Sequence, residues 1–179
     1  MLALSTVVIM VLVVTVATSI NPKHPHGPIQ AFKTISTLKH VFAISTSSDN
    51  PKFQCLVSDA VLYDPEHMVA SYIWSLRSPD GTENPKKSTF HISPGSSVDQ
   101  LTFFMDNDFS TPYTAYYNFS NYKDCLVATI PYEGENLCML WVDRSVADAI
   151  PEDCEEQYED TCDVRFPAYF KDICNVAGE

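Results

Sequence analysis

Residues 125–142 read "CLVATIPYEGENLCMLWV": two apolar runs, each opened by a cysteine (Cys125, Cys138), around the turn-forming residues "YEGEN". Apolar and β-branched residues on both sides of a glycine-bearing turn predict an antiparallel hairpin. Trp141 lies deep in the second strand, with Met139 two positions before it and so on the same face. What that face encloses depends on the rest of the chain. Upstream, "KHVFAIST", "FQCLVSDAVLYD", "MVASYIWSLRS", "KSTFHIS", "DQLTFFMD" and "TPYTAYYNFS" have the same length and composition, with turn signals such as "SPDG", "SPGS" and "MDND" between several of them. With the hairpin this makes eight consecutive short strands and no helical segment among them. The pattern predicts an antiparallel meander, which loses its exposed edges by closing into a barrel. A β-sandwich is the competing arrangement. The barrel is favoured by "IPEDCEEQYEDTC", residues 150–162, where a proline at a first helical position and acids in the first turn signal one late helix laid outside the barrel.

The chain has 179 residues, and its first charge is Lys23. Residues 1–19 are apolar, small or hydroxylated and end in Ala17-Thr18-Ser19, which predicts a secretory signal cut after Ser19; the competing reading is an uncleaved membrane anchor. Residues 20–30, "INPKHPHGPIQ", predict a flexible arm, on which His24 and His26 are expected to be exposed. Residues 31–179 are then one domain, of a length that allows a single large core. The net charge of −12 argues against nucleic acid and, after signal cleavage, anionic membrane as partners, because both need a basic patch.

Six cysteines behind a signal sequence, with no C-x-x-C, predict three disulfides and no zinc site. In the hairpin, Cys125 and Cys138 sit at opposite ends. The chain leaves the second strand near Cys125 and begins its helix there, bringing Cys154 within reach. Cys162 lies about 12 Å further along the helix, roughly the span back along the strand to Cys138. Cys125–Cys154 and Cys138–Cys162 are expected, leaving Cys55 for Cys174, although six cysteines permit fifteen connectivities.

These segments resemble the tick salivary lipocalins, the histamine-binding protein family. The matching features are the strand-borne cysteine of "FQCLVSDAVLYDP", the hairpin cysteine followed by x-L-W in "DCLVATIPYEGENLCMLWVD", and the proline-started helix "AIPEDCEEQYEDTC". In "QAFKTI", Phe32 stands where the family usually has tryptophan. The resemblance covers nearly all of residues 30–174. It implies an eight-stranded barrel closed at one end, a small-molecule pocket inside, and secretion in saliva to sequester host mediators. The disulfide scheme agrees with the family's usual one.

The resemblance also implies what this chain lacks. Amine-binding members carry an acid directly after the first hairpin cysteine and a glutamate two residues before the tryptophan, and here these are Leu126 and Met139. Their loop aspartate corresponds most nearly to Asn50, with Asp49 beside it. A buried ammonium without a partner costs several kcal/mol, roughly 3–5, and a cation–π contact with Trp141 returns only ~0.5–2 kcal/mol. Met139 and Leu126 are therefore expected to supply apolar wall instead of counter-charge.

Alternation gives the other inward residues. Asn118-Phe119-Ser120 is a glycosylation sequon, and a glycan must point outward. Tyr116 and Thr114 share that outer face, which turns Tyr113, Ala115 and Tyr117 inward. Ser71, Ser75 and Arg77 mark a wet face, so Ala70, Tyr72, Trp74 and Leu76 face the core. Phe42 and Phe103 join them by the same reasoning. Each aromatic singly fits core filling as well as ligand contact; the set, in a barrel class known for an open interior, points to a pocket.

The expected function is that of a secreted, monomeric binder that sequesters a small host mediator or lipid and so suppresses inflammatory or immune responses, with no cofactor. Two alternatives stand beside it: binding of histamine or serotonin through acids such as Asp59, Asp106 or Asp108, and modulation of a host immune protein by surface contact. No enzyme motif is present: there is no G-x-S-x-G or H-E-x-x-H, the glycines form no phosphate-binding loop, and His40, His67 and His91 fall in separate segments.

Overall fold

The computed structural model describes residues 27–76 and 86–174. The signal segment, most of the arm with His24 and His26, and the outward placement of Arg77 lie outside the described residues.

All eight predicted strands form, as β1 (His40–Thr46), β2 (Val57–Asp64), β3 (Val69–Leu76), β4 (Lys86–Pro94), β5 (Gln100–Met105), β6 (Asp108–Ser120), β7 (Cys125–Tyr132) and β8 (Glu135–Asp143). Each pairs antiparallel with the next, and β1 closes the ring by pairing with both β8 and β2. The hairpin that opened the sequence reading is in register from Cys125↔Val142 to Tyr132↔Glu135. Its turn residues, Glu133 (φ 48°) and Gly134 (φ 85°), are both left-handed, the requirement of a two-residue type I′ turn and the reason for glycine there.

The predicted late helix is α2 (Glu152–Thr161), with Glu152, Asp153 and Glu155 in its first turn facing the positive end of the helix dipole. Cys154 and Tyr158, one turn apart, are its buried residues, and with Cys162 they form the stripe laid against β6, β7 and β8. All three disulfides join the expected partners: Cys125–Cys154, Cys138–Cys162 and Cys55–Cys174.

Besides single 3-10 turns at Pro51–Phe53 and Arg144–Val146, three short elements extend the expected pattern. The "QAFKTI" segment is a helix, α1 (Ala31–Thr37); after α2 come a two-residue strand, β9 (Phe166–Pro167), paired to β1, and a single helical turn, α3 (Lys171–Cys174). Arg165, between α2 and β9, donates to both carboxylate oxygens of Glu155 at 2.8 and 2.9 Å and to Ser45 Oγ at 3.0 Å, fixing the tail to the helix and barrel.

Two apolar layers result. One fills the barrel. The other, holding Phe42, Ile44, Val127, Leu140 and Val142, lies between the barrel wall and α2. Strands β1, β7 and β8 are consequently buried on both faces, and their burial does not alternate.

Candidate functional site

An apolar cavity of about 60 Å³ lies inside the barrel. Ile35 and Leu38, from α1 and the residue after it, line it together with Tyr72, Trp74, Phe90, Phe103, Tyr117, Leu126 and Trp141 of the barrel strands. The α1 segment is tied down: the Tyr72 hydroxyl donates to the carbonyls of Ile35 at 2.5 Å and Leu38 at 3.3 Å, and Ala31 N donates to Val98 O at 2.8 Å. Phe32 stacks on Tyr63 at 5.5 Å beside this seal.

Beyond the cavity, toward the β7–β8 turn, the barrel is filled with rings. Trp74 is the hub, with ring centroids 4.5 Å from Phe90, 5.1 Å from Trp141 and 5.3 Å from Tyr132. Tyr132 meets Phe53 edge-on at 6.1 Å, and both are almost wholly buried. The tilted and edge arrangements are those the aromatic quadrupole favours.

Of the nine residues expected to contact a ligand, six line the cavity: Trp141, Leu126, Tyr117, Trp74, Tyr72 and Phe103. Met139 is fully buried inside the barrel but outside the cavity wall, so it packs the interior without bordering the space. Tyr113 is partly buried and stacks on Phe103 at 5.5 Å. The inward placement expected of Phe42 is corrected. It pairs with Val142 and faces the outer layer, 5.1 Å from the Tyr169 ring, while Val41 and Ala43 turn inward. Phe90, which sequence reasoning missed, completes the ring cluster; alternation within "KSTFHIS" was the available signal, since Ser88 and Phe90 are buried and their neighbours are not.

Polar chemistry in the wall is sparse and uncharged. Ser58, Tyr72, Tyr117 and Trp141 supply it, and no described residue of the wall is a carboxylate. Burial pushes the Tyr72 and Tyr117 hydroxyls far above the ordinary phenol range, so both remain neutral. Trp141 Nε1 is buried and has no hydrogen-bond partner among the described residues. The acids considered for an amine lie elsewhere. Asp59 pairs with His40 at 3.0 Å on the outside, Asp106 accepts from Thr89 N of β4 and Asp108 from Ser110 N of β6 at the surface, and Asn50 caps a turn through Lys52 N. His40, His67 and His91 occupy separate surface positions, and among the described residues no cluster of His, Cys, Asp and Glu could hold a metal.

A closed eight-stranded antiparallel barrel with a flanking C-terminal helix and an internal apolar cavity is a lipocalin, the architecture of small-ligand binders rather than enzymes. The chain belongs to the tick histamine-binding protein family, whose model matches residues 25–176. No curated protein matches its sequence significantly. Among solved structures it is similar to AM182 in a serotonin complex, at 16% identity and TM-score 0.61, covering 81% of this chain and 92% of that one. It is likewise similar to japanin from Rhipicephalus appendiculatus bound to cholesterol, at 16% identity and TM-score 0.59, covering 80% and 97%. Lobster apocrustacyanin A1 follows at 13% identity and TM-score 0.51, covering 73% and 76%.

Proposed function

We propose that this protein is secreted in saliva and sequesters an uncharged small mediator or lipid of host origin inside its barrel, lowering the host's inflammatory or immune response. The observation that carries the reading is the cavity wall: aromatic and aliphatic, with neutral hydroxyls and one unpartnered indole N–H, and no carboxylate to meet an ammonium. Between the ligands of the two structural neighbours, the uncharged cholesterol of japanin suits such a wall better than the ammonium of serotonin, whose burial here would go uncompensated. Small-molecule sites usually enclose ~300–1,000 Å³, well above the 60 Å³ seen, so a whole ligand enters only as interior rings move. Three disulfides support an oxidising, extracellular destination, and no helix among the described residues is long and apolar enough to cross a membrane. The test is organic extraction of the secreted, disulfide-intact protein after incubation with host plasma lipids. Stoichiometric recovery of a neutral species supports the reading, and recovery of nothing but bulk lipid in trace amounts counts against it.

A second reading, contact with a host immune protein, is favoured by four exposed apolar side chains on the β2–β3 hairpin, Val61, Leu62, Met68 and Val69. It predicts that Leu62→Asp abolishes the immune effect while ligand uptake is unchanged.

A further inference from the structure

The barrel has two ends, and their seals differ in kind. At the α1 end the seal is a helix held by buried hydrogen bonds from Tyr72 and by a backbone bond to Val98. At the opposite end, among the described residues, the rings of Phe53 and Tyr132 pack behind Trp74 of the cavity wall. Each is the immediate chain neighbour of a charged residue in a surface ion-pair network. Lys52, next to Phe53, donates to Glu133 Oε2 at 2.6 Å; Glu133 follows Tyr132 in the type I′ turn; and Lys86, at the start of β4, donates to Glu133 Oε1 at 2.6 Å. The Lys52 ammonium also lies over both rings, 4.9 Å from the Phe53 centroid and 5.5 Å from that of Tyr132. Two positions after Lys86, Ser88 shares a hydrogen bond of 3.1 Å with the Tyr132 hydroxyl.

We propose that Lys52, Glu133 and Lys86 form a latch that holds Phe53 and Tyr132 as a movable plug, and that ligand enters and leaves the barrel when this latch opens. Opening this end costs less than opening the other. Glu133 and Lys86 are well exposed, with side-chain accessibilities of 41% and 64%, while Lys52, lying over the two rings, is 19% exposed. Water replaces their contacts readily, so ion pairs of this kind contribute little and yield to salt. Opening the other end would break the bonds of the Tyr72 hydroxyl to the Ile35 and Leu38 carbonyls and the Ala31–Val98 backbone bond, against the single buried Ser88–Tyr132 bond at the plug, which makes it the costlier change. The latch also couples the parts that must move together. One carboxylate joins the β1–β2 connection, the β7–β8 turn and β4, so losing Glu133 frees both plug-bearing segments at once.

The proposal deepens the small-ligand reading, and its test separates the two because it needs no ligand. The chain's two tryptophans, Trp74 and Trp141, both line the cavity and are 4% and 2% exposed. Acrylamide quenching of the intact protein's fluorescence therefore reports entry of a small neutral probe. Glu133→Gln is expected to raise the quenching constant roughly two- to tenfold, Lys52→Gln to raise it less, and molar salt to raise it in the wild type but not in Glu133→Gln. Circular dichroism checks that each variant is folded. If Tyr72→Phe, which loosens the α1 seal, raises quenching while Glu133→Gln leaves it unchanged, entry is at the other end and the latch is refuted. An open latch with no ligand ever recovered would leave the gate standing and remove the proposed function.

Discussion

Replacing Trp141 with phenylalanine should change the stability of the ligand-free protein little, by at most about 1 kcal/mol of loss and about 2 kcal/mol of gain, in contrast to the clear loss usual for trimming a core tryptophan. Trp141 is 2% exposed and carries the buried N–H without a partner among the described residues. Removing the outer ring atoms leaves a small void, costing about 1–2 kcal/mol. Deleting an unsatisfied buried donor returns roughly 1–3 kcal/mol. The Trp74 contact at 5.1 Å survives in kind, since phenylalanine still offers a ring to the hub. The expected net change runs from about 1 kcal/mol of destabilisation to about 2 kcal/mol of stabilisation. Urea unfolding followed by far-ultraviolet circular dichroism, with disulfides intact, measures it through the midpoint at constant slope. A destabilisation above about 2 kcal/mol would show that the indole N–H is satisfied in the native protein, and the polar half of the proposed site would fall with it.

Other consequences can be checked on the same preparations. The hydrogen bonds from Lys52 and Lys86 hold the Glu133 carboxyl at about 2. Because that value is depressed relative to the unfolded chain, the stabilisation is complete above an ordinary glutamate pKa of ~4.3 and is lost as pH falls toward 2. Solvent screening limits it to about 1 kcal/mol or less, so the melting-temperature gap between wild type and Glu133→Gln should close on acidification and narrow in salt. A gap that widens toward pH 2 would refute the assignment. Among the disulfides, Cys55–Cys174 spans 119 residues and Cys138–Cys162 only 24. Replacing both members of each pair by serine should therefore cost about 4–5 and about 3–4 kcal/mol respectively on the loop-entropy model, and denaturant midpoints in the opposite order would contradict it. Asn118 is exposed on the outer face of β6, with its side chain within 3.4 Å of Thr129 Oγ1. Enzymatic deglycosylation should lower the mass of the secreted protein, while Asn118→Gln should shift stability by no more than ~0.5 kcal/mol.

The strands and turns were legible because each signal is local: β-branched runs bounded by turn residues, and a Glu-Gly pair suited to a I′ turn. The disulfides were legible because helix rise and strand rise match Cys154 to Cys125 and Cys162 to Cys138, leaving Cys55 for Cys174. Phe42 was misread for a definite reason. Alternation identifies the inner face only where the outer face is wet, and in β1 the outer face is covered by the helix-side layer, leaving six of its seven residues buried. Phe42 and Val142 then form an apolar pair on the outside of the wall, which a single strand's pattern cannot distinguish from an inward pair. Met139 was placed on the right face but at the wrong depth, since distance along the barrel from the cavity depends on how the rings of Trp74, Phe90 and Tyr132 stack. The unpartnered indole and the Lys52–Glu133–Lys86 bridge are likewise products of three-dimensional packing between segments far apart in sequence. The loss of acids at Leu126 and Met139, by contrast, could be read directly, and the uncharged cavity wall agrees with it.

The most direct test compares serotonin with 5-hydroxyindole, the same ring without its aminoethyl arm, and with histamine, by calorimetric titration of the secreted, disulfide-intact protein at neutral pH. A cavity that selects uncharged ligands should take 5-hydroxyindole at least as tightly as serotonin and show no submicromolar histamine binding. Submicromolar binding of serotonin or histamine, with 5-hydroxyindole bound far more weakly, would reveal a counter-charge in the site and contradict the central claim.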